Sequence, residues 1–105
     1  MNITVDKNDL TFTIHAAGWL DTEAAPALGA EIDKIEKAEA IVLDFKELEY
    51  ISSSGLRQVV SAYKKAKAME ADFSVINVNK DVMEVFKLTN LDSRIHILPR
   101  TEPVD

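Results

Sequence analysis

Cysteine is absent from this chain of 105 residues, which removes disulfides, thiolate catalysis and zinc–thiolate sites together. Glycine is scarce. The chain has three glycines, Gly18, Gly29 and Gly55, too few for a dinucleotide-binding fingerprint or for a phosphate-cradling loop with its essential lysine. The two histidines, His15 and His96, fall in stretches predicted to be strands and share no metal-ligand spacing. Neither stands where it would serve as base to a serine nucleophile. No apolar run approaches the roughly 20 residues that span a bilayer. The opening Met1-Asn2-Ile3-Thr4-Val5-Asp6 has no basic region followed by an apolar core, so it does not read as a signal peptide. These two absences predict a cytoplasmic protein with no membrane insertion. Positive charge is in deficit: 12 Lys and Arg face 18 Asp and Glu, a formal net charge of -6. Nucleic acid and anionic membranes would repel such a chain, whereas a basic protein surface would accept it. The expectation is therefore a protein with no catalytic residue, no metal and no cofactor.

What is present is a core. Hydrophobic residues make up 47% of the sequence, enough for one compact domain over residues 1–105. Ile3 and Val5, then Leu10-Thr11-Phe12-Thr13-Ile14-His15-Ala16, alternate apolar with mostly polar residues and predict a hairpin. Gly18 breaks the pattern. Asp21 or Thr22 is placed to cap a first helix whose apolar stripe is Ala24, Leu28, Ile32 and Ile35. Ala40-Ile41-Val42-Leu43-Asp44-Phe45 is a nearly unbroken apolar run, predicting a strand buried on both faces. A second helix is expected from Ser54 to Met69. Its inner positions would be Leu56, Val59, Val60, Tyr63, Ala66 and Met69, and its outer face Arg57, Lys64, Lys65 and Lys67. A strand over Phe73–Val78, a short helix over Asp81–Leu88 and a strand over Arg94–Leu98 complete the pattern, with residues 99–105 as a fraying tail. The order β-β-α-β-α-β-α-β predicts an α/β fold: a mixed sheet of four to five strands with helices packed on it.

Ser52-Ser53-Ser54-Gly55 lies between the central strand region and the second helix. Hydroxyls there meet unpaired backbone N–H groups and the positive end of the helix dipole. A serine at such a place is either a cap, as Ser54 is expected to be, or an acceptor for a phosphate, which the helix end stabilises. A nucleophile elbow would need a glycine two residues before the serine, and Ile51 or Ser52 stands there. Trp19 reads as a partly buried anchor near a strand end.

The segment Leu43-Asp44-Phe45-Lys46-Glu47-Leu48-Glu49-Tyr50-Ile51-Ser52-Ser53-Ser54-Gly55-Leu56 resembles the signature of STAS domains, among them the bacterial anti-sigma factor antagonists. Gly18-Trp19-Leu20-Asp21, with Leu28 beyond it, resembles the family's pattern before the first helix. Val82 to Leu91 resembles its late helix. The resemblance implies the mixed sheet already read from the pattern. It also implies a function: the unphosphorylated antagonist binds an anti-sigma factor serine kinase and frees the sigma factor, the kinase inactivates it by phosphorylation, and a PP2C-type phosphatase resets it. Carried over position by position, the acceptor falls on Ser53, with Ser52 as second candidate. Ser54 matches the next small or hydroxyl residue, and Gly55 the motif glycine. The implied partner-binding face is Gly18, Asp21, Ser52, Ser53, Ser54, Gly55, Leu56 and Arg57. Ser52 stands where many members carry Asp. That departure leaves open an alternative, a STAS subunit of a lipid-transport or signalling complex that is never phosphorylated.

Overall fold

A computed structural model describes residues 2–101; the rest of the expected tail, residues 102–105, lies outside the described residues. The chain runs β1 (Asn2–Asn8), β2 (Thr11–Leu20), α1 (Ala25–Asp33), β3 (Ala40–Asp44), β4 (Leu48–Ile51), α2 (Ser53–Ala68), β5 (Asp72–Val78), α3 (Lys80–Leu88), a short 3-10 turn at Leu91–Ser93, and β6 (His96–Pro99). The sheet is mixed, as the alternation of strands and helices predicts. Its order is β1-β2-β3-β5-β6, with β4 paired to β2 off that path. The β1–β2 hairpin is antiparallel and every other pairing is parallel.

β4 is the strand beyond the expected four to five. It exists because β2 is long enough to serve two neighbours. Thr11 to His15 pair with β3, and Gly18 to Leu20 pair with β4. The register shifts between Gly18 and Trp19, where Gly18 takes a φ of 92°. A side chain would be strained in that left-handed region. The local bulge re-aims the end of β2, and Gly18 N–H donates to the Glu47 carbonyl at 2.9 Å.

One core cluster joins the sheet to the helices. Ile14, Leu20, Ile41, Leu43, Phe45 and Val75 from the sheet region meet Leu28 and Ile32 of α1, Val59, Ala62 and Ala66 of α2, and Val82 and Phe86 of α3. β3 alternates buried Ile41 and Leu43 with half-buried Val42 and Asp44. It is therefore covered fully on one face, not on both as its apolar run suggests. Asp44 accounts for part of that second face. Its Oδ1 accepts from Asn77 Nδ2 at 2.9 Å and from Lys46 N–H at 3.0 Å. Its Oδ2 lies 3.1 Å from His15 Nδ1, and Asp6 Oδ2 lies 2.9 Å from His15 Nε2. His15 thus ties β1 to β3 across β2.

Several boundaries shift from expectation for physical reasons. α1 starts at Ala25: Asp21 builds the preceding turn, its Oδ1 accepting from Ala24 N–H and its carbonyl from Ala25 N–H, each at 2.9 Å. α3 starts at Lys80 because Asn79 caps it, Oδ1 accepting from Val82 N–H at 2.8 Å. Leu88, the last residue of α3, is 80% exposed. Lys65, read as an outer-face residue, is half-buried and donates from Nζ to the Ile32 carbonyl at 2.8 Å, closing the end of α1. The beginning of the expected tail is held: Pro99 pairs with Val78 in β6, and Arg100 N–H donates to the Val78 carbonyl at 2.8 Å. No helix among the described residues is long and apolar enough to cross a membrane.

Candidate functional site: the serine turn at the start of the second helix

β2 and β4 end side by side, with Leu20 opposite Ile51. The chain then leaves β4 and enters α2 without a spacer. Ser52 is the joint. Its N–H donates to the Leu20 carbonyl at 2.9 Å, and its Oγ donates to the same carbonyl at 3.0 Å. The same Oγ accepts from Gly55 N–H at 3.1 Å, while its carbonyl takes the first helical bond from Leu56 N–H at 2.9 Å. With φ -90° and ψ 173° it has the extended backbone of an N-cap. The cap is therefore Ser52. The expectation that Ser54 would cap fails because the helix begins one residue earlier than its apolar periodicity indicates. Once Ser52 faces Leu20, Ser53 and Ser54 are already inside the first turn.

Those two serines differ. Ser54 is half-buried, and its Oγ reaches Thr22 Oγ1 at 3.4 Å, a long contact. Ser53 is exposed. Its Oγ has no hydrogen-bond partner among the described residues. The N–H groups of Ser53 and Ser54 point out of the first turn, as the opening N–H groups of a helix do. The site thus offers one free hydroxyl at the positive end of a 16-residue helix.

Gly55 permits this geometry. A Cβ on it would stand 2.8 Å from Ile51 Cγ1, from Leu20 Cγ and from the Leu20 carbonyl oxygen. No side chain fits there without moving the two strand ends. Leu56, in the next position, is half-buried against the core. Arg57 is exposed, one helical turn beyond Ser53.

Of the eight residues expected to form the partner face, the structure gathers Asp21, Ser52, Ser53, Ser54 and Gly55 around the junction of β2, β4 and α2. Gly18 sits behind them at the bulge, and Leu56 turns inward. Trp19 departs from its expected role as a partly buried anchor. It is 57% exposed and packs across the strands on Tyr50, itself 42% exposed, with ring centroids 4.9 Å apart. Leu20, which the sequence reading quoted only within the Gly18–Asp21 segment, fixes the cap, and Thr22, read there as a candidate cap for the first helix, touches Ser54 instead. The only local signal for Leu20 is its place between Trp19 and Asp21, because its bond to Ser52 spans 32 residues.

Both ring nitrogens of His15 are engaged by Asp6 and Asp44, and among the described residues no group of His, Asp and Glu could hold a metal ion.

The mixed sheet, the three helices and the hydroxyl turn that opens the second helix define a small α/β domain class. The family model for the STAS domain matches residues 2–103, and the chain belongs to that family. Among curated relatives, it is 32% identical to BtrV of Bordetella bronchiseptica over 91 residues, covering 85% of this chain and 78% of that one. It is 27% identical over 105 residues to the anti-sigma-B factor antagonist of Bacillus subtilis, covering 97% and 96% of the two chains. Among solved structures, an anti-sigma factor antagonist from Mycobacterium paratuberculosis superposes with a TM-score of 0.84 at 25% identity, over 93% of this chain and 85% of that one.

Proposed function

We propose that this protein is an anti-sigma factor antagonist that works as a phosphorylation switch at Ser53. The observation that carries the reading is the division of labour among three adjacent hydroxyls. Ser52 is committed to the cap, Ser54 leans on Thr22, and Ser53 alone is exposed and unbonded among the described residues. The curated relatives that carry the antagonist name support the class.

The unphosphorylated form binds an anti-sigma factor serine kinase through the surface around Ser53, and so releases the sigma factor. Phosphorylation adds about -1.5 to -2 charges at neutral pH. The helix dipole and the free N–H groups of the first turn accommodate them within the domain. A partner closed over the turn would have to desolvate them, which is costly without a fitted counter-charge. Docking is lost while the fold stays, and a PP2C-type phosphatase restores the binding form. Ser52, the second candidate, is a poorer acceptor, since its Oγ must leave both Leu20 and Gly55 before it can react. Its capping role supplies what an Asp at that position would supply, so the departure from the commoner family pattern does not weigh against the switch.

The test is to incubate the protein with the anti-sigma factor serine kinase of the same genome and ATP, and to map the phosphate by mass spectrometry. Modification at Ser53, lost in Ser53→Ala and retained in Ser52→Thr, supports the reading. Tight kinase binding with no phosphate, unchanged by Ser53→Asp, overturns it and favours a STAS subunit that is never phosphorylated.

A further inference from the structure

The second helix carries charge of one sign. Over Ser53–Ala68 it holds Arg57, Lys64, Lys65 and Lys67 and no acidic residue, in a chain whose formal net charge is -6. Its water-facing stripe opens on Ser53, and the next exposed position along the helix is Arg57. The two stand four residues apart, the spacing that brings side chains together on one helix face. Helical side chains lean toward the N-terminus, so a long one covers the turn before its own. The turn that Arg57 overhangs is the turn of Ser53. Among the described residues its guanidinium forms no ion pair. Across the turn the charges have the other sign. Thr22, whose Oγ1 lies 3.4 Å from Ser54 Oγ, sits between half-buried Asp21 and exposed Glu23. Two carboxylates therefore border the turn from the segment that leads into α1. A phosphoserine at position 53 would bring about -1.5 to -2 charges, and the helix end supplies about +0.5. About one negative charge or more is left uncompensated beside those carboxylates.

We infer that Arg57 is the internal counter-ion of the phosphorylated state. This rests on the reading of Ser53 as the kinase's target and adds to it how the modified turn is held. Once Ser53 carries a phosphoryl group, the guanidinium folds back one turn and binds its oxygens by charge-assisted hydrogen bonds. The phosphoryl group is then held between the first-turn N–H groups and Arg57, away from Asp21 and Glu23. Before phosphorylation the same guanidinium is uncommitted and stands on the face offered to the partner. Phosphorylation thus changes that face twice: it adds an anion and it withdraws a cation. Arg57 is a positioning residue. It takes no part in the transfer of the phosphoryl group, and its duty begins when the transfer is complete.

The experiment installs phosphoserine at position 53 by genetic encoding, so that the phosphorylated protein is obtained without any kinase, and follows the phosphate by phosphorus NMR as the pH is varied. A neighbouring cation favours the dianion and lowers its second pKa, whereas Asp21 and Glu23 act in the opposite direction. That pKa is expected to be lower with Arg57 in place than in Arg57→Gln by about half a pH unit, with Arg57→Lys in between and matching circular dichroism for all three. The difference is expected to shrink in about 1 M salt. One pKa common to the three proteins, in a chain whose Ser53 is phosphorylated by the kinase of the same genome, overturns this inference alone. Kinase that binds the wild-type chain and leaves Ser53 unmodified overturns the switch reading, and the regulatory duty of Arg57 with it, whatever the titration gives.

Discussion

Ser52 uses one hydroxyl in two directions, as donor to Leu20 and as acceptor from Gly55. Replacing it with alanine removes the cap and one link between β2 and α2. Ser52→Ala is expected to cost about 1 kcal/mol, read by urea denaturation. An ionised aspartate keeps the acceptor and loses only the donor, and the Leu20 carbonyl still takes the Ser52 N–H. Ser52→Asp should therefore be milder than Ser52→Ala, and equal or greater loss would show that the donor bond matters more than the cap. Gly55 is limited by space. With three heavy atoms 2.8 Å from where a Cβ would stand, one of them backbone, Gly55→Ala is expected to destabilise by about 1–3 kcal/mol despite the helix propensity it gains. At this scale the sequence was legible as a set of candidates and silent on their roles. Three serines in a row offer the same local chemistry. The choice among them is made by a carbonyl 32 residues away, which no local window contains.

Among the elements, those with long apolar periodicity were readable: the hairpin, α1, α2, β5 and α3 all lie where their patterns place them, within a few residues. β4 was not. Leu48, Tyr50 and Ile51 break strict alternation, and the strand forms only because the Gly18 bulge carries the end of β2 out to meet it. The cap of α3 was missed as well, since asparagine serves turns as readily as helices. Asn79 caps α3 and also donates from Nδ2 to the Leu48 carbonyl at 3.0 Å, pinning α3 to β4. Asn79→Ala is expected to cost about 1–2 kcal/mol. Hydrogen exchange should show the amides of α3 losing protection before those of α2. If both helices lose protection together, the clamp is not local. Lys65 offers a parallel case between α1 and α2. Lys65→Met keeps the aliphatic stem and removes the bond to the Ile32 carbonyl, so it should weaken the end of α1 by about 0.5–1.5 kcal/mol without altering the sheet.

For the molecule as a whole, the proposed switch demands that charge arrive without unfolding. The chain already carries a formal charge of -6, and a further anion at random would add to self-repulsion. At the start of α2 it meets the positive helix end instead. Ser53→Asp should leave stability within about 0.5 kcal/mol of wild type, a shift of no more than about 4 °C for a domain of this size, while kinase binding in a pull-down is lost. A large fall in melting temperature would mean that the turn senses charge by coming apart. The fold class and, β4 apart, the order of elements were visible from composition and pattern, because one buried cluster and a strand–helix alternation suffice to define them, whereas the second pairing of β2 was not. The exposure of Trp19 was hidden, because an indole beside a glycine reads the same whether it is bound for the core or for the surface.

The packing around Gly55 has one more consequence. Ser53 is held in helical backbone between a cap and a glycine with no space beside it, so the acceptor is offered as part of a folded surface and not as a flexible strand of chain. A kinase that modifies it has to recognise a three-dimensional object. A synthetic peptide spanning residues 46–60 contains every residue of the motif and lacks Leu20 and Thr22, which complete its shape. Phosphate transfer to that peptide should fall at least about a hundredfold below transfer to the intact domain, and radiolabelled ATP would measure the difference. Such an enzyme would ignore the same serine-rich motif in unfolded or nascent chains, so only finished copies of this protein would be counted by the circuit.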